Sequence, residues 1–380
     1  MNFDYSEEQL ALQDTLRRFI DKEYRFDQRR TLAQSEDGFS REVWAQLAEL
    51  GLLALPFPEE YGGLGGNAVD TMLVMEVLGR GLVLEPYLGT VVLAGSLIRD
   101  AGTLSQKDML LPAIAGGELL MTLAHYEPGT RYEMNHIATT AKSTGNSYLI
   151  NGAKSVVLGG NDADKIVVSA RTGGGRRDND GISLFVVGRT APGLIIRGYP
   201  TQDGSRAAET QFDNVEVGDD ALLGTKDGAL PIIERAIDYA IVALCAEAVG
   251  IMTALNEATL DYLKTRKQFG QPIGRFQALQ HRMVDMVIAT EQARSMATLS
   301  AVRVDSIDAA ERRRVVSAAK AYVGQSARSV GQAAVQLHGG MGVVDELNVS
   351  HYFKRLTMIN ATFGDTDHHL GIFSDLLLAD

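Results

Sequence analysis

Four groups of residues in this chain have types and spacings that could do chemistry. The single cysteine, Cys245, lies in the apolar run Ile241-Val-Ala-Leu-Cys-Ala and reads as a buried structural thiol rather than a nucleophile. Arg176-Arg177 sits inside the turn cluster Thr172-Gly-Gly-Gly-Arg-Arg-Asp-Asn-Asp-Gly, where a guanidinium pair either meets a phosphate or forms a solvated loop tip. His368 and His369 follow Asp367 and suggest a metal site. Neighbouring positions on a helix diverge by about 100°, however, so the two rings are expected at a surface or interface instead. Gly339-Gly340 closes a long helical run; lacking Cβ atoms, the pair either stops the helix or lets a ligand approach the backbone closely.

The elements that must position these groups fall into three blocks. Residues 1–120 are expected to be helical. Ser6 and Gln9 fit a capping box, and Leu12, Leu16, Phe19 and Ile20 recur at helical spacing. A second helix is expected after Ser40 and a third around 72–78, separated by the Pro- and Gly-rich stretch 56–66. Residues 121–226 change to a period of two, which predicts a small β-sandwich or barrel with strands at 166–169, 182–187 and 194–196. Asn151-Gly152 between Tyr148-Leu-Ile and Ala153-Lys-Ser-Val-Val predicts a hairpin turn. Residues 227–380 return to long helices at 230–266, 275–304 and 309–337, expected to pack as a four-helix-type bundle. The fold class is therefore α+β, in the order helical domain, β domain, helical bundle.

Composition narrows the function. With 380 residues, 45 % apolar and 22 % charged, the chain has ample material for a packed core. Its 36 basic against 48 acidic residues give a net charge of −12, which argues against nucleic acid or an anionic membrane as a partner. The region read as the longest apolar one, Gly81 to Ile98, is interrupted by Glu85 and Pro86 and is expected to be too short to span a bilayer. A lone cysteine and an N-terminus without a basic-then-apolar segment lead to the expectation of a reducing, cytoplasmic setting.

Four segments go further. Ala124-His-Tyr-Glu-Pro with Ile150-Asn-Gly-Ala-Lys, Asn214-Val-Glu-Val with Leu222-Leu-Gly, Arg266-Lys-Gln-Phe-Gly-Gln-Pro-Ile-Gly-Arg-Phe-Gln, and Gln336-Leu-His-Gly-Gly-Met-Gly together resemble the acyl-CoA dehydrogenase family in order and over nearly the whole chain. Within it, the resemblance is to chains of the pimeloyl-CoA dehydrogenase small-subunit type. The resemblance implies α,β-dehydrogenation of an acyl-CoA thioester, in which a carboxylate removes the α-proton and FAD accepts the β-hydride. It also implies that the FAD diphosphate is cradled by a neighbouring subunit through Arg266, Gln268, Phe269, Phe276 and Gln277 and through Gln336, Leu337, His338, Gly339 and Gly340. No metal is implied.

Other positions depart from the family. Its small Gly-Ser-Asp is replaced by Arg131-Tyr132-Glu133, its ring-stacking Trp by Val156, and its Thr at the flavin edge by Leu158. The catalytic Glu is replaced by Phe363 near the C-terminus and by Ala240 at the alternative position, and neither side chain can take a proton. Asp238, Glu247, Asp365 and Asp367 are the nearby carboxylates. Asp238 is two residues from Ala240, about 200° around a helix, whereas Glu247 shares the face of Ala240 about 10 Å further along.

No catalytic residue is therefore assigned. The expectation is the small subunit of a hetero-oligomer, with a paralogous large acyl-CoA dehydrogenase subunit as partner and an electron-transfer flavoprotein as electron acceptor. Its pathway would be fatty acid or dicarboxylate degradation. Two alternatives remain: a homo-oligomeric enzyme with an unorthodox carboxylate base, and a non-catalytic acyl-CoA-binding scaffold.

Overall fold

A computed structural model describes residues 5–379 and divides the chain into two compact units. Of the described residues, one unit comprises 5–31, 68–83 and 241–379, the other 32–67 and 84–240.

The first unit is helical. Helix α1 (Glu7–Glu23) starts as its sequence dictates: the Ser6 hydroxyl accepts the Gln9 amide while the Gln9 side chain accepts the Ser6 amide. Helix α2 (Phe26–Gln34) begins here and ends in the second unit. Helix α4 (Ala68–Gly81) lies across α7 (Leu230–Thr265), whose later residues belong to this unit. The crossing is backbone to backbone. A Cβ on Gly250 would lie 1.8 Å from the Glu76 carbonyl oxygen, and one on Gly79 would lie 2.2 Å from that of Glu247. After α7 come the two-stranded hairpin β9 (Lys267–Gln268) and β10 (Gln271–Pro272), then α8 (Gln277–Arg303), α9 (Ala309–His338), α10 (Asn348–Ala361) and α11 (Thr366–Ala379). Helix α9 packs on α8, α10 and α11 and is the centre of the bundle. Its small buried residues, Ala319, Gly324, Ala327, Gly331 and Ala334, let the neighbours come close.

The second unit contains α3 (Arg41–Glu49), capped by the Ser40 hydroxyl, a π-helix at Leu88–Ala94, α5 (Gly95–Ala101) and α6 (Leu104–Ala115). Its sheet runs in the order β6-β7-β3-β2-β4-β5-β8, formed by β2 (Thr140–Ser143), β3 (Ser147–Leu158), β4 (Lys165–Arg171), β5 (Ile182–Gly188), β6 (Leu194–Pro200), β7 (Arg206–Gly218) and β8 (Leu222–Leu223). Strand β1 (Met121–Ala124) pairs parallel to β4. Ile150, Ile166, Val168, Phe185, Val187, Phe212 and Val215 form the core of one sheet face.

The hairpin expected at Asn151-Gly152 does not exist. Strand β3 runs straight through the pair alongside β7, with a register shift between Ile150 and Gly152. The Asn151 side chain accepts the Asn214 amide at 2.9 Å and donates to the Asn214 side-chain oxygen at 3.2 Å, which pins the bulge. Gly152 (φ 150°) is needed for close approach, since a Cβ would sit 2.4 Å from the Thr139 hydroxyl. The same residue types that favour a turn here serve a bulge, and only the partner strand distinguishes the two.

Helix α7 is the one described helix long and apolar enough to cross a membrane, and most of it is buried inside the protein as a core helix. Cys245 on α7 is buried, and burial pushes its thiol up to about 12, so it stays protonated.

Candidate functional site

The two cradle segments meet at the end of the bundle. Arg266 directly follows α7; its amide donates to the Tyr262 carbonyl and its own carbonyl accepts the Ile273 amide, both at 2.8 Å. The backbone is thus clamped at the foot of the β9–β10 hairpin. Phe269 and Gly270 turn the hairpin with φ of 52° and 77°. The guanidinium of Arg266 is exposed and has no hydrogen-bond or ion-pair partner among the described residues. Gln268 is exposed beside it, and Phe269, 89 % exposed, meets Phe276 edge to face at 6.0 Å. Gln277 opens α8 and faces solvent.

The second segment is docked by a ring stack that the sequence did not reveal. His338, the last residue of α9, lies on Tyr262 of α7 with centroids 4.4 Å apart and planes 27° apart. Its Nδ1 donates to the Ala334 carbonyl at 2.9 Å, and burial holds the imidazole below its ordinary value, so it is neutral. Leu337 and His338 are buried, so their side chains anchor the turn rather than face a ligand. Gln336, Gly339 and Gly340 are exposed. Gly339 has φ 60° and ψ −139°, and nothing lies within 4 Å of a Cβ built on either glycine. A helix stop and an open backbone surface are therefore the same feature.

Phe363 lies in the corner between α10 and α11, with φ 58°. The corner is held tightly: the buried Lys320 ammonium donates to the carbonyls of Asn360 (3.0 Å) and Gly364 (2.6 Å). His369 Nε2 donates to the Phe363 carbonyl, and its Nδ1 accepts from the Ser317 hydroxyl at 3.1 Å. This corrects the expectation of a surface or interface role for His369, which is buried with both ring nitrogens used. Asp365 is committed as the cap of α11, accepting the His368 amide at 2.9 Å. Glu247 is also committed, to a bidentate pair with Arg355 of α10 at 2.5 and 2.7 Å. Ala240 and Asp238 are both buried.

In the β unit, sequence alone missed a buried ion pair. Lys154 Nζ donates to a Glu127 carboxylate oxygen at 2.7 Å, to the His125 carbonyl and to the Ser169 hydroxyl, each at 3.0 Å. Burial pushes the Lys154 ammonium down to about 8. Burial alone would raise the Glu127 carboxyl, yet the ammonium and the Thr139 amide hold it below the usual range. His125 is neutral, pushed to about 3 by burial. Two residues beyond Lys154, Val156 is 51 % exposed with φ 52°, a conformation a β-branched residue rarely adopts. The Leu158 carbonyl accepts the Thr122 hydroxyl at 2.6 Å. Arg131 also lies at positive φ, 48°. Arg176 and Arg177 are an exposed loop tip whose carbonyls are gathered by Asn135 and by the buried Arg171.

Models of the N-terminal, middle and C-terminal domains of acyl-CoA dehydrogenase match residues 6–118, 122–215 and 228–378. The chain belongs to the acyl-CoA dehydrogenase family. Acyl-CoA dehydrogenase FadE12 of Mycobacterium tuberculosis is 32 % identical over 360 residues, covering 92 % of this chain and 90 % of that one. Butyryl-CoA dehydrogenase from Megasphaera elsdenii matches with a TM-score of 0.90 at 25 % identity over the whole of both chains. The Tcur3481-Tcur3483 steroid ACAD matches with a TM-score of 0.87 at 29 % identity over 98 % of each chain. The chain is thus of an oxidoreductase family that acts on acyl-CoA with FAD as cofactor, in the three-part fold expected.

The residues present fit FAD on one side only. The Arg266 guanidinium, without a hydrogen-bond or ion-pair partner among the described residues and with several donors in a fixed fork, and the two glycines whose backbone is open each suit a diphosphate. On strand β3 the aliphatic side chains of Val156 and Leu158 offer neither an aromatic face nor a hydrogen-bonding group to a flavin ring.

Proposed function

We propose that this chain is the non-catalytic small subunit of a heteromeric, FAD-dependent acyl-CoA dehydrogenase, lending its diphosphate cradle to the active site of a paralogous large subunit. One observation carries this: Arg266, Gln268 and the backbone of Gly339-Gly340 are exposed, whereas the carboxylates of Glu247 and Asp365 are already engaged. Arg266 has no described partner, while Glu247 is locked to Arg355 and Asp365 caps α11. The domain boundaries are taken at 120/121 and 226/227.

When bound, FAD supplies a hydride acceptor for the β-carbon of the acyl thioester. This chain's own contribution is positioning. Arg266, with Gln268 and Gln277, would bind the diphosphate, and Gly339-Gly340 would admit its oxygens to backbone amides. Phe269 and Phe276 would keep water from that end. The base would come from the partner, and electrons would pass on to an electron-transfer flavoprotein. Likeness to the Tcur3481-Tcur3483 steroid ACAD, a structural neighbour at 29 % identity, favours unlike chains and leaves a steroid side chain beside a dicarboxylate as acyl group. A cytoplasmic location goes with this reading.

Flavin absorbance of the purified chain, alone and co-expressed with a family member that retains the Glu, is the test. The lone chain is expected to be colourless and the pair yellow and active. Stoichiometric FAD held tightly by the lone chain would overturn the proposal.

A further inference from the structure

Both segments that build the cradle lie in stretches without a carboxylate side chain. None occurs between Asp261 and Asp285 or between Glu311 and Asp345, although the chain carries 48 acidic residues against 36 basic ones. The first stretch holds Lys264, Arg266, Lys267, Arg275 and Arg282, all exposed, and none of the five makes an ion pair or a side-chain hydrogen bond with a described residue. Neighbouring cations without a counter-charge, in a chain of net charge −12, set up a local positive field that faces solvent.

One guanidinium suffices for a diphosphate, so the other four cations are surplus to the cradle. They stand around it. Lys267 pairs with Pro272 across the hairpin, Arg275 follows Pro272 by three residues, and Arg282 lies in the second turn of α8. Beside them Phe269 is 89 % exposed and braced edge to face by Phe276, which leaves a flat apolar surface open to a planar ring. Cations next to an open aromatic face recognise a nucleotide by its phosphates and its base, and neither part is peculiar to FAD.

We propose, on the reading of Arg266 and Gly339-Gly340 as a diphosphate cradle, that this end of the chain is a site for free nucleoside polyphosphates, bound more tightly the more phosphates they carry and in competition with the adenosine diphosphate half of FAD. This chain selects charge and a planar base, and selection of a flavin falls to the partner subunit. An unassembled chain is therefore filled by nucleotide until a partner brings the flavin pocket.

Equilibrium dialysis of the purified full chain against AMP, ADP, ATP, tripolyphosphate and FAD, without divalent metal, gives the affinities. ATP is expected to bind more tightly than ADP and ADP more tightly than AMP, with FAD no tighter than ADP. For charges about 10 Å apart and a Debye length of about 10 Å at about 0.1 M salt, the triple variant Lys267→Gln, Arg275→Gln, Arg282→Gln should weaken ATP about tenfold and AMP far less. Phe269→Ser should weaken ATP about tenfold and leave tripolyphosphate unchanged. All four side chains are exposed, so both variants should melt as the parent does. Absence of ATP binding, equal affinity for AMP and ATP, ATP binding untouched by the triple variant, or tripolyphosphate bound as tightly as ATP would each overturn the proposal. Those outcomes leave the subunit role standing, because that role is judged by FAD in the assembled pair. FAD held much more tightly than ADP by the lone chain would overturn both.

Discussion

Replacing Glu247 decides whether this chain contributes a base. The Glu247 carboxylate is 5 % exposed and accepts from Nε and Nη2 of Arg355, whose side chain is 19 % exposed. Removing one member of such a pair strands the other charge away from water, at a cost of about 3–5 kcal/mol. Glu247→Gln keeps an acceptor oxygen and should fall near the lower end, about 3 kcal/mol. At about 2–4 °C per kcal/mol for a large domain, the melting temperature should drop by about 6–12 °C. Arg355→Met should cost a similar amount. The double variant Glu247→Gln, Arg355→Met, which strands no charge, should recover most of the loss. Thermal melts of the four proteins give the coupling energy, and turnover of the complex with its partner is measured on the same samples below the lowest melting point. Turnover should persist in all four. Turnover abolished by Glu247→Gln with an unchanged melt would make Glu247 the proton acceptor and refute the reasoning.

Arg266→Ala removes charge-assisted hydrogen bonds worth about 1.5–3 kcal/mol, so FAD in the complex should bind about ten- to a hundredfold more weakly, read by flavin released on ultrafiltration. The melt of the lone chain should not move, because the exposed Arg266 side chain makes no hydrogen bond or ion pair with a described residue. Lys320 carries a pH signature: burial pushes its ammonium from 10.5 down to about 8, so the folded chain binds fewer protons between those values than the unfolded one. Its contribution is full above 10.5 and is lost as pH falls through about 8. Stability of the parent should therefore rise with pH across that window, by up to about 1.4 kcal/mol per pH unit, relative to Lys320→Met measured by chemical unfolding. Parallel curves for the two proteins would contradict burial as the force that lowers the Lys320 ammonium.

What the sequence determined by itself is whatever depends on residues a few positions apart. The Ser6–Gln9 box and the Ser40 cap start helices because the hydroxyl and the orphan amides are neighbours along the chain. The spans of α7, α8 and α9, the strands β4, β5 and β6, and the burial of Cys245 were legible for the same reason. The sequence also placed Arg266 and Gly339-Gly340 in one function, through their likeness to a family. It could not say that His338 stacking on Tyr262 is what joins them.

The tertiary structure alone decided everything that rests on a partner far along the chain. Asn151-Gly152 is a bulge and not a turn because Asn214 and Thr139 lie across from it. Lys154 can be buried because Glu127 is brought to 2.7 Å, and His369 because Ser317 and the Phe363 carbonyl satisfy its ring. Glu247 is engaged by Arg355, 108 residues away. A buried polar group is tolerated only when its hydrogen bonds are met, and which distant atoms meet them is a property of the folded chain.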